Sequence, residues 1–423
     1  MNGGRLEVIN AECRARLEEG DLGPFDACIT DPPYELGFMG KAWDKSGVAY
    51  DPATWAAILA RLKPGAHLLA FAAPRTEHRI ACAIEDAGFS IRDKLIWLYG
   101  QGFLKSLNIG KAIDKAAGAV REVVGRNPNA RPIDGAGRGY AGPTGHDPHI
   151  TAPATDAARQ WDGWGTALKP AYEPIILARA PLDGTIVQNV IAHGTGGLNV
   201  KGCAIGTEVL PECAPGQAAI GTFIRSSFTP TPERIGRWPS NVLLDEEAAA
   251  RLDAEAGDVG GSSGPARPSV PHGGAATNLA MSLGGTTAYQ DAGGASRFFY
   301  TAKPSRSERD DGTGDLTGKT REQITGREEG SDGQNNPRAG RRQGGRIGNH
   351  HPTVKPVALM RWLIRLTCPQ GGIILDPFMG SGTTLIAARD EFVRAVGIEQ
   401  DAEFCEIAEA RLRQGGFAFE EVG

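Results

Sequence analysis

A chain of 423 residues with 40% hydrophobic and 22% charged side chains is long enough to bury a full core and has the composition of a globular protein. Its 58 glycines and 28 prolines point to many loops, and a formal net charge of −5 excludes a uniformly basic surface, so any nucleic-acid contact must come from a local patch. No apolar run is long enough to cross a bilayer, and Met1-Asn2-Gly3-Gly4-Arg5 lacks the apolar core of a secretory signal. The seven cysteines, odd in number and without a C-x-x-C pair, suit a reducing cytoplasm better than a disulfide framework or a structural zinc.

Taken in chain order, Leu6 to Asn10 reads as a strand, and residues 26–30 as a second that ends at Asp31-Pro32-Pro33-Tyr34. A helix is expected over Asp51 to Leu62, with Pro52 in its first turn and Trp55, Ile58, Leu59 and Leu62 at helical spacing. Lys63-Pro64-Gly65 stops it. A strand over His67 to Ala73, a helix over Thr76 to Ala87 and a strand over Ser90 to Tyr99 follow, with a later strand at residues 173–178. Such alternation predicts an α/β fold, a mostly parallel sheet covered on both faces. Between about Gly100 and Gly348 the pattern weakens. Gly125 to Gly165 and Gly257 to Ser296 are rich in Gly, Pro, Ser and Thr, with a short ordered piece, Gly236 to Asp245, between them. The end returns to α/β character: a helix over Pro356 to Leu366, strands at 373–375 and 395–398, and a closing helix over Ala402 to Leu412. The division expected is 1–182 with a loop-rich insertion around 120–165, a lobe over 183–348, and a final unit over 349–423.

Two loops carry the chemistry. The first, Asp376-Pro-Phe-Met-Gly-Ser-Gly-Thr-Thr384, joins a buried strand to a helix. Gly380 and Gly382 let the backbone approach a ligand, while Ser381, Thr383 and Thr384 supply hydroxyls and a helix N-terminus that favours an anionic group. No Lys precedes the Thr pair, so this is no Walker loop, and Leu385 stands where a dinucleotide fingerprint needs its third glycine. Glu399, at the next strand end, is placed to bind ribose hydroxyls. A glycine turn with an acidic strand end suits a nucleoside without a pyrophosphate. S-adenosylmethionine fits, its carboxylate meeting the helix terminus.

The second is Asp31-Pro32-Pro33-Tyr34. Two prolines fix the backbone and remove two N–H groups, leaving a rigid turn with free carbonyls. An adenine or cytosine amine is a poor nucleophile because its lone pair is delocalised. Hydrogen bonds from its two hydrogens, one to the Asp31 carboxylate and one to the Pro32 carbonyl, favour a tetrahedral nitrogen that can attack a sulfonium methyl in line. Tyr34 would stack on a base rotated out of the duplex. Alone, this tetrapeptide is a proline turn; beside the glycine loop it is a catalytic motif.

These strings, with His351-Pro-Thr-Val-Lys-Pro356, Gly397-Ile-Glu399, the stretch at 164–174 and that at 298–303, resemble the amino-methylating DNA methyltransferases, in particular the permuted class β, phage-type or orphan members, in which the catalytic motif precedes the cofactor motif. The anchors cover roughly half the chain. The resemblance implies a seven-stranded, mostly parallel Rossmann-like sheet, S-adenosylmethionine as donor with S-adenosylhomocysteine as product, no metal, and a target-recognition lobe between the halves. It assigns Asp31, Pro32, Pro33 and Tyr34 to catalysis. Asp376, Phe378, Gly380, Ser381, Gly382, Thr383, Thr384 and Glu399 go to the cofactor, Asp31 also facing it, and Thr353 and Lys355 flank the methionine pocket. Where the family has Gly-Asp, this chain has Asn10-Ala11-Glu12-Cys13, so Glu12 answers to the contact with the cofactor's adenine. D-P-P-Y is commoner among adenine-N6 enzymes and S-P-P-Y among cytosine-N4 ones. Adenine therefore comes first, with cytosine N4 as the alternative and a catalytically silent DNA-binding protein as a reading of another class.

For duplex DNA as partner, Gly333 to Leu375 holds no acidic residue but several arginines. Arg338, Arg341, Arg342 and Arg346 sit in a Gly/Asn/Gln-rich loop suited to following phosphates. Lys105, Lys111, Lys115, Arg121 and Arg126 form a weaker basic stretch. A homodimer is expected by analogy with this class.

Overall fold

The computed structural model describes residues 6–37, 42–100, 102, 106–127, 149–210, 234–257, 293–302, 308–314, 316–320, 323–324 and 347–414. The first half contains β1 (Leu6–Asn10), α1 (Cys13–Glu18), β2 (Phe25–Thr30), α2 (Pro52–Leu59), β3 (Leu62–Phe71), α3 (Glu77–Asp86) and β4 (Ser90–Leu98). Next come α4 (Ile109–Ala116), β5 (Val123–Arg126), β6 (His149–Thr151), α5 (Asp156–Gln160), β7 (Tyr172–Arg179) and α6 (Ile186–His193). The described parts of the region beyond are β8 (Ile205–Leu210), β9 (Arg234–Arg237), β10 (Val242–Asp245), α7 (Glu246–Ala256) and β11 (Tyr300–Ala302). The chain closes with α8 (Val357–Thr367), β12 (Ile373–Asp376), α9 (Thr383–Asp390), β13 (Arg394–Glu399) and α10 (Ala402–Arg413).

Local chemistry accounts for the element ends. Glu12 caps α1 by accepting the Arg14 and Ala15 N–H groups, and Asp51 caps α2 ahead of Pro52. Thr185 and Gln188 close a capping box on α6. The expected break at Lys63-Pro64-Gly65 is instead the start of β3. Phe25 pairs with Leu62, and a register shift between Phe25 and Ala27 absorbs the irregularity before His67 pairs with Ala27.

The main sheet runs β1-β13-β12-β2-β3-β7-β4-β10-β11, and only β7 lies antiparallel to its neighbours. It is the Rossmann-like α/β layering expected, but with nine strands where seven were anticipated. The difference includes β10 and β11, short strands within the loop-rich stretch that join the far edge beside β4. Both faces are covered. One carries the apolar sides of α8, α9 and α10 (Leu359, Leu363, Leu385, Leu412), the other those of α1, α2 and α3 (Leu17, Trp55, Ile58, Ile80, Ile84). Alternation along β3 divides Leu69 and Phe71 from Leu68 and Ala70, which face opposite clusters.

Between β12 and β2 the winding reverses: the chain proceeds outward from β12 to β13 and, on the other side, from β2 to β3. Helix α9, after β12, and α2, after β2, cover opposite faces. A crevice is left outside these two carboxyl ends, the place where open α/β sheets bind ligands.

Candidate active site

The two motifs meet in that crevice. Ile374 and Leu375 of β12 pair with Ala27 and Cys28 of β2, so Asp376 and Asp31 end adjacent parallel strands. The Thr30 hydroxyl donates to Asp376 Oδ1 at 2.8 Å across 346 residues of sequence. Together with the ends of β1 and β13 these loops enclose a cavity of about 330 Å³. Its wall contains Glu12, Asp31, Pro32, Pro33, Tyr34, Thr353, Lys355, Asp376, Phe378, Gly380, Ser381, Thr383, Thr384 and Glu399. Gly382 is not on the wall. Its φ of 78° and the 2.8 Å that would separate an added Cβ from Ala408 make it a packing glycine against α10. Gly380 lines the cavity with φ 54°, and a Cβ there would stand 2.7 Å from His351 Nε2.

The wall is rich in carboxylates. Glu399 accepts the Gly380 N–H through Oε2 and the Asp401 N–H through Oε1, both at 2.9 Å. Burial raises its pKa above the usual range. Burial likewise pushes Asp376 up to about 7, against hydrogen bonds from Thr384, Thr30 and the Phe378 N–H. Glu12 is drawn below its ordinary value because the Ala15 and Arg14 amides outweigh its partial burial. On the other side His351 is pushed down to about 3, chiefly by burial and then by the nearby cations, so its ring is neutral. Thr353 is exposed at the rim, its N–H 3.4 Å from His351 Nδ1.

Asp31 belongs to a closed cluster. Its Oδ1 accepts the Tyr34 hydroxyl at 2.7 Å and its Oδ2 lies 3.0 Å from Lys355 Nζ. Lys355, 8% exposed, also donates to the Tyr34 hydroxyl and to Glu173 Oε2, each at 2.9 Å, and its ammonium stands 4.8 Å from the centre of the Phe71 ring. Burial disfavours the Lys355 charge, but Asp31 and Glu173 outweigh it and raise its pKa. Asp31 itself is raised by burial, with Lys355 opposing and Glu173 adding to the rise. The loop is pinned from behind: the Thr76 hydroxyl donates to the Tyr34 carbonyl and the Glu35 N–H to Asp44 Oδ1, both at 2.9 Å.

Two residues escaped sequence reasoning. Glu173 opens β7, and because β7 alone runs backwards its first residues reach the carboxyl-end side of the sheet. Arg411, on the buried side of α10, donates to the Ser381 carbonyl at 2.5 Å, to the hydroxyls of Ser381 and Thr383, and to the Glu308 carbonyl at 3.0 Å. The hydroxyls expected to face a ligand are thus partly held from beneath. Arg338, Arg341, Arg342, Arg346 and Lys105 lie outside the described residues. Of the other basic residues, Arg121 pairs with Asp114 at 2.6 Å, and Arg361 and Arg365, in the acid-free stretch from Gly333 to Leu375, both pair with Glu391. These three arginines therefore carry acidic partners within the fold. Among the described residues no group of three or more His, Cys, Asp or Glu is placed to hold a metal, and no helix is long and apolar enough to cross a membrane.

Residues 277–410 match the profile of the N6/N4 DNA methylase family. The type II methyltransferase M.ScaI of Streptomyces caespitosus is 44% identical over 62 residues, 15% of this chain and 20% of its own length. M2.DpnII of Streptococcus pneumoniae is 44% identical over 62 residues and covered over 23% of its length, so the chain spans about a fifth of these curated relatives. Among solved structures, the M1.HpyAVI–SAM complex superposes with TM-score 0.39 at 15% identity, covering 96% of this chain and 98% of that one. The PvuII DNA methyltransferase (cytosine-N4-specific) gives 0.40 at 10% identity, over 99% and 92%. The segment that carries the glycine turn, the acidic strand end and Lys355 is accordingly of the amino-methylating DNA methyltransferase family.

Proposed function

We propose that this chain is an S-adenosylmethionine-dependent DNA methyltransferase acting on the N6 amine of adenine in duplex DNA. The observation that carries this reading is the convergence of Asp31-Pro32-Pro33-Tyr34 and the glycine turn at neighbouring strand ends around one cavity. The residues present fit the donor. A wall bearing Glu12, Asp31, Asp376 and Glu399 offers acceptors and negative charge, and suits a ligand that is cationic at sulfur and rich in hydrogen-bond donors. The backbone at Gly380 gives it close approach.

When bound, S-adenosylmethionine supplies an electrophilic methyl group on a sulfonium sulfur and leaves as S-adenosylhomocysteine. The protein's part is positioning and charge. Glu399 would hold ribose hydroxyls, with Glu12 toward the adenine; Thr353 and Lys355 flank the methionine end. The Asp31 carboxylate and the Pro32 carbonyl take the two hydrogens of the target amine, so its lone pair points at the methyl group. The nitrogen lone pair held this way by Asp31 and Pro32 would form the bond to the methyl carbon as the carbon–sulfur bond breaks. The nitrogen becomes cationic and then sheds a proton that Asp31 can accept. Asp31 Oδ1 accepts the Tyr34 hydroxyl at 2.7 Å and keeps a second lone pair for the amine; release of that hydroxyl would free the Tyr34 ring to stack on the flipped base.

The test is incubation with duplex DNA and methyl-labelled donor followed by digestion to nucleosides. Labelled N6-methyladenine is expected; labelled N4-methylcytosine would give the same chemistry on the other base, and no labelled nucleoside would overturn the reading. Asp31→Ala is expected to lower the transfer rate by roughly 10²–10⁴-fold. An unchanged rate would remove Asp31 from catalysis.

A further inference from the structure

Resting on that reading, we infer that Glu173 is a positioning residue for methyl transfer: it shares the Lys355 ammonium with Asp31 and so leaves the Asp31 carboxylate its negative charge for the incoming amine. Lys355 Nζ lies 2.9 Å from Glu173 Oε2 and 3.0 Å from Asp31 Oδ2, with the Tyr34 hydroxyl at 2.9 Å as its third partner. A lysine paired with Asp31 alone would make a neutral unit. Such a unit keeps the carboxylate ionised yet cancels most of the field it offers to a nitrogen that gains positive charge as its lone pair forms the bond to carbon. Adding Glu173 returns the cluster to a net charge of −1 while Lys355 remains in place to orient Asp31.

The cluster is sheltered enough for this difference to count. Lys355 is 8% exposed, and the side chains of Asp31 and Glu173 are 17% and 24% exposed. The placement follows from topology, since Glu173 enters from the one reversed strand. The charged and titratable groups around Asp31 are Tyr34 on its own loop, Lys355 ahead of α8, Glu173 on β7 and Asp376 at the end of β12. Tyr99 at the end of β4 faces Glu173 and Lys355.

Glu173→Gln keeps the shape and removes the charge. The expected result is a single-turnover transfer rate lowered about tenfold or more, with the dissociation constant for S-adenosylmethionine within about threefold of the parent. Because Glu173 raises the Asp31 pKa, its neutralisation should also move the acid limb of the pH–rate profile to lower pH. Glu173→Asp, which retains the carboxylate, should restore part of the rate and keep the limb near its original position. An unchanged rate in Glu173→Gln would overturn the inference. So would a fall in rate with an unmoved acid limb and a parallel loss of melting temperature in both variants, the pattern of a structural residue. If the parent protein labels no DNA, the functional reading fails and this inference with it; if the parent is active and the variant equally so, only this inference fails.

Discussion

Burial holds the Asp376 carboxyl near a pKa of about 7, well above the value of roughly 4 for the unfolded chain. Between those values the folded protein binds a proton that the unfolded chain has lost, so this group makes stability fall as pH rises through that window. Asp376→Asn is close to isosteric and can still accept from the Thr30 hydroxyl and the Phe378 N–H. Its melting temperature relative to the parent should therefore rise between pH 4 and about 7 and level off above; a constant difference across that range would show that the carboxyl is not neutral in the fold. A cation in the cavity reverses the preference, so S-adenosylmethionine should bind the parent less tightly as pH falls below about 7. At this scale the sequence was informative about place: Asp31, Asp376, Glu399 and Gly380, read as strand-end or turn residues, all line the one cavity. It was uninformative for Glu173, a carboxylate ahead of a proline whose partner lies 182 residues away. Nothing local announces that its strand runs backwards.

Helix α10 lines the cavity at its start with Phe404 and shapes it again from its far end. Arg411 threads a buried guanidinium under the glycine turn and ties the Ser381 carbonyl to the Glu308 carbonyl. Burial lowers its pKa to about 10, which leaves it charged at neutral pH. Arg411→Met would leave two carbonyls without this donor, at roughly 1–3 kcal/mol each if they stay buried. The expected outcome is a lower melting temperature and S-adenosylmethionine affinity reduced about tenfold, with the transfer rate at saturating donor within a few-fold of the parent. A variant that loses rate but not affinity would place Arg411 in the chemistry instead. In sequence, α10 reads only as an amphipathic closing helix, and an arginine on it reads as solvated. The elements that escaped detection are short ones, such as β5 and β6, because strands of three or four residues have no periodicity to measure, whereas β10 falls inside the ordered piece read at 236–245. The longer alternations, β1 to β4 and α8 to β13, were legible since one covered face imposes its pattern on each.

On the scale of the whole molecule the net charge is −5, so the DNA affinity that the proposed function requires would have to be concentrated. Arg361 and Arg365 pair with Glu391 and Arg121 with Asp114, and the segment from Arg338 to Arg346 is the densest group of cations read from the sequence. Replacing Arg338, Arg341, Arg342 and Arg346 with alanine should weaken binding to duplexes of any sequence and flatten the dependence of log K on log salt by roughly 0.9 for each phosphate no longer neutralised. An unaltered slope would assign phosphate binding elsewhere. The same large-scale view gives the pairing of β2 with β12 another meaning. Thr30 meets Asp376 across 346 residues, a closure that costs on the order of 5 kcal/mol in chain entropy and is slow to form. During synthesis the N-terminal strands leave the ribosome long before their neighbours exist. Strand β1 has its parallel partner only once residue 399 has been made. The growing chain therefore carries its Asp-Pro-Pro-Tyr loop for most of translation without the strands that complete the cavity, so a nascent or prematurely terminated chain would be catalytically inert.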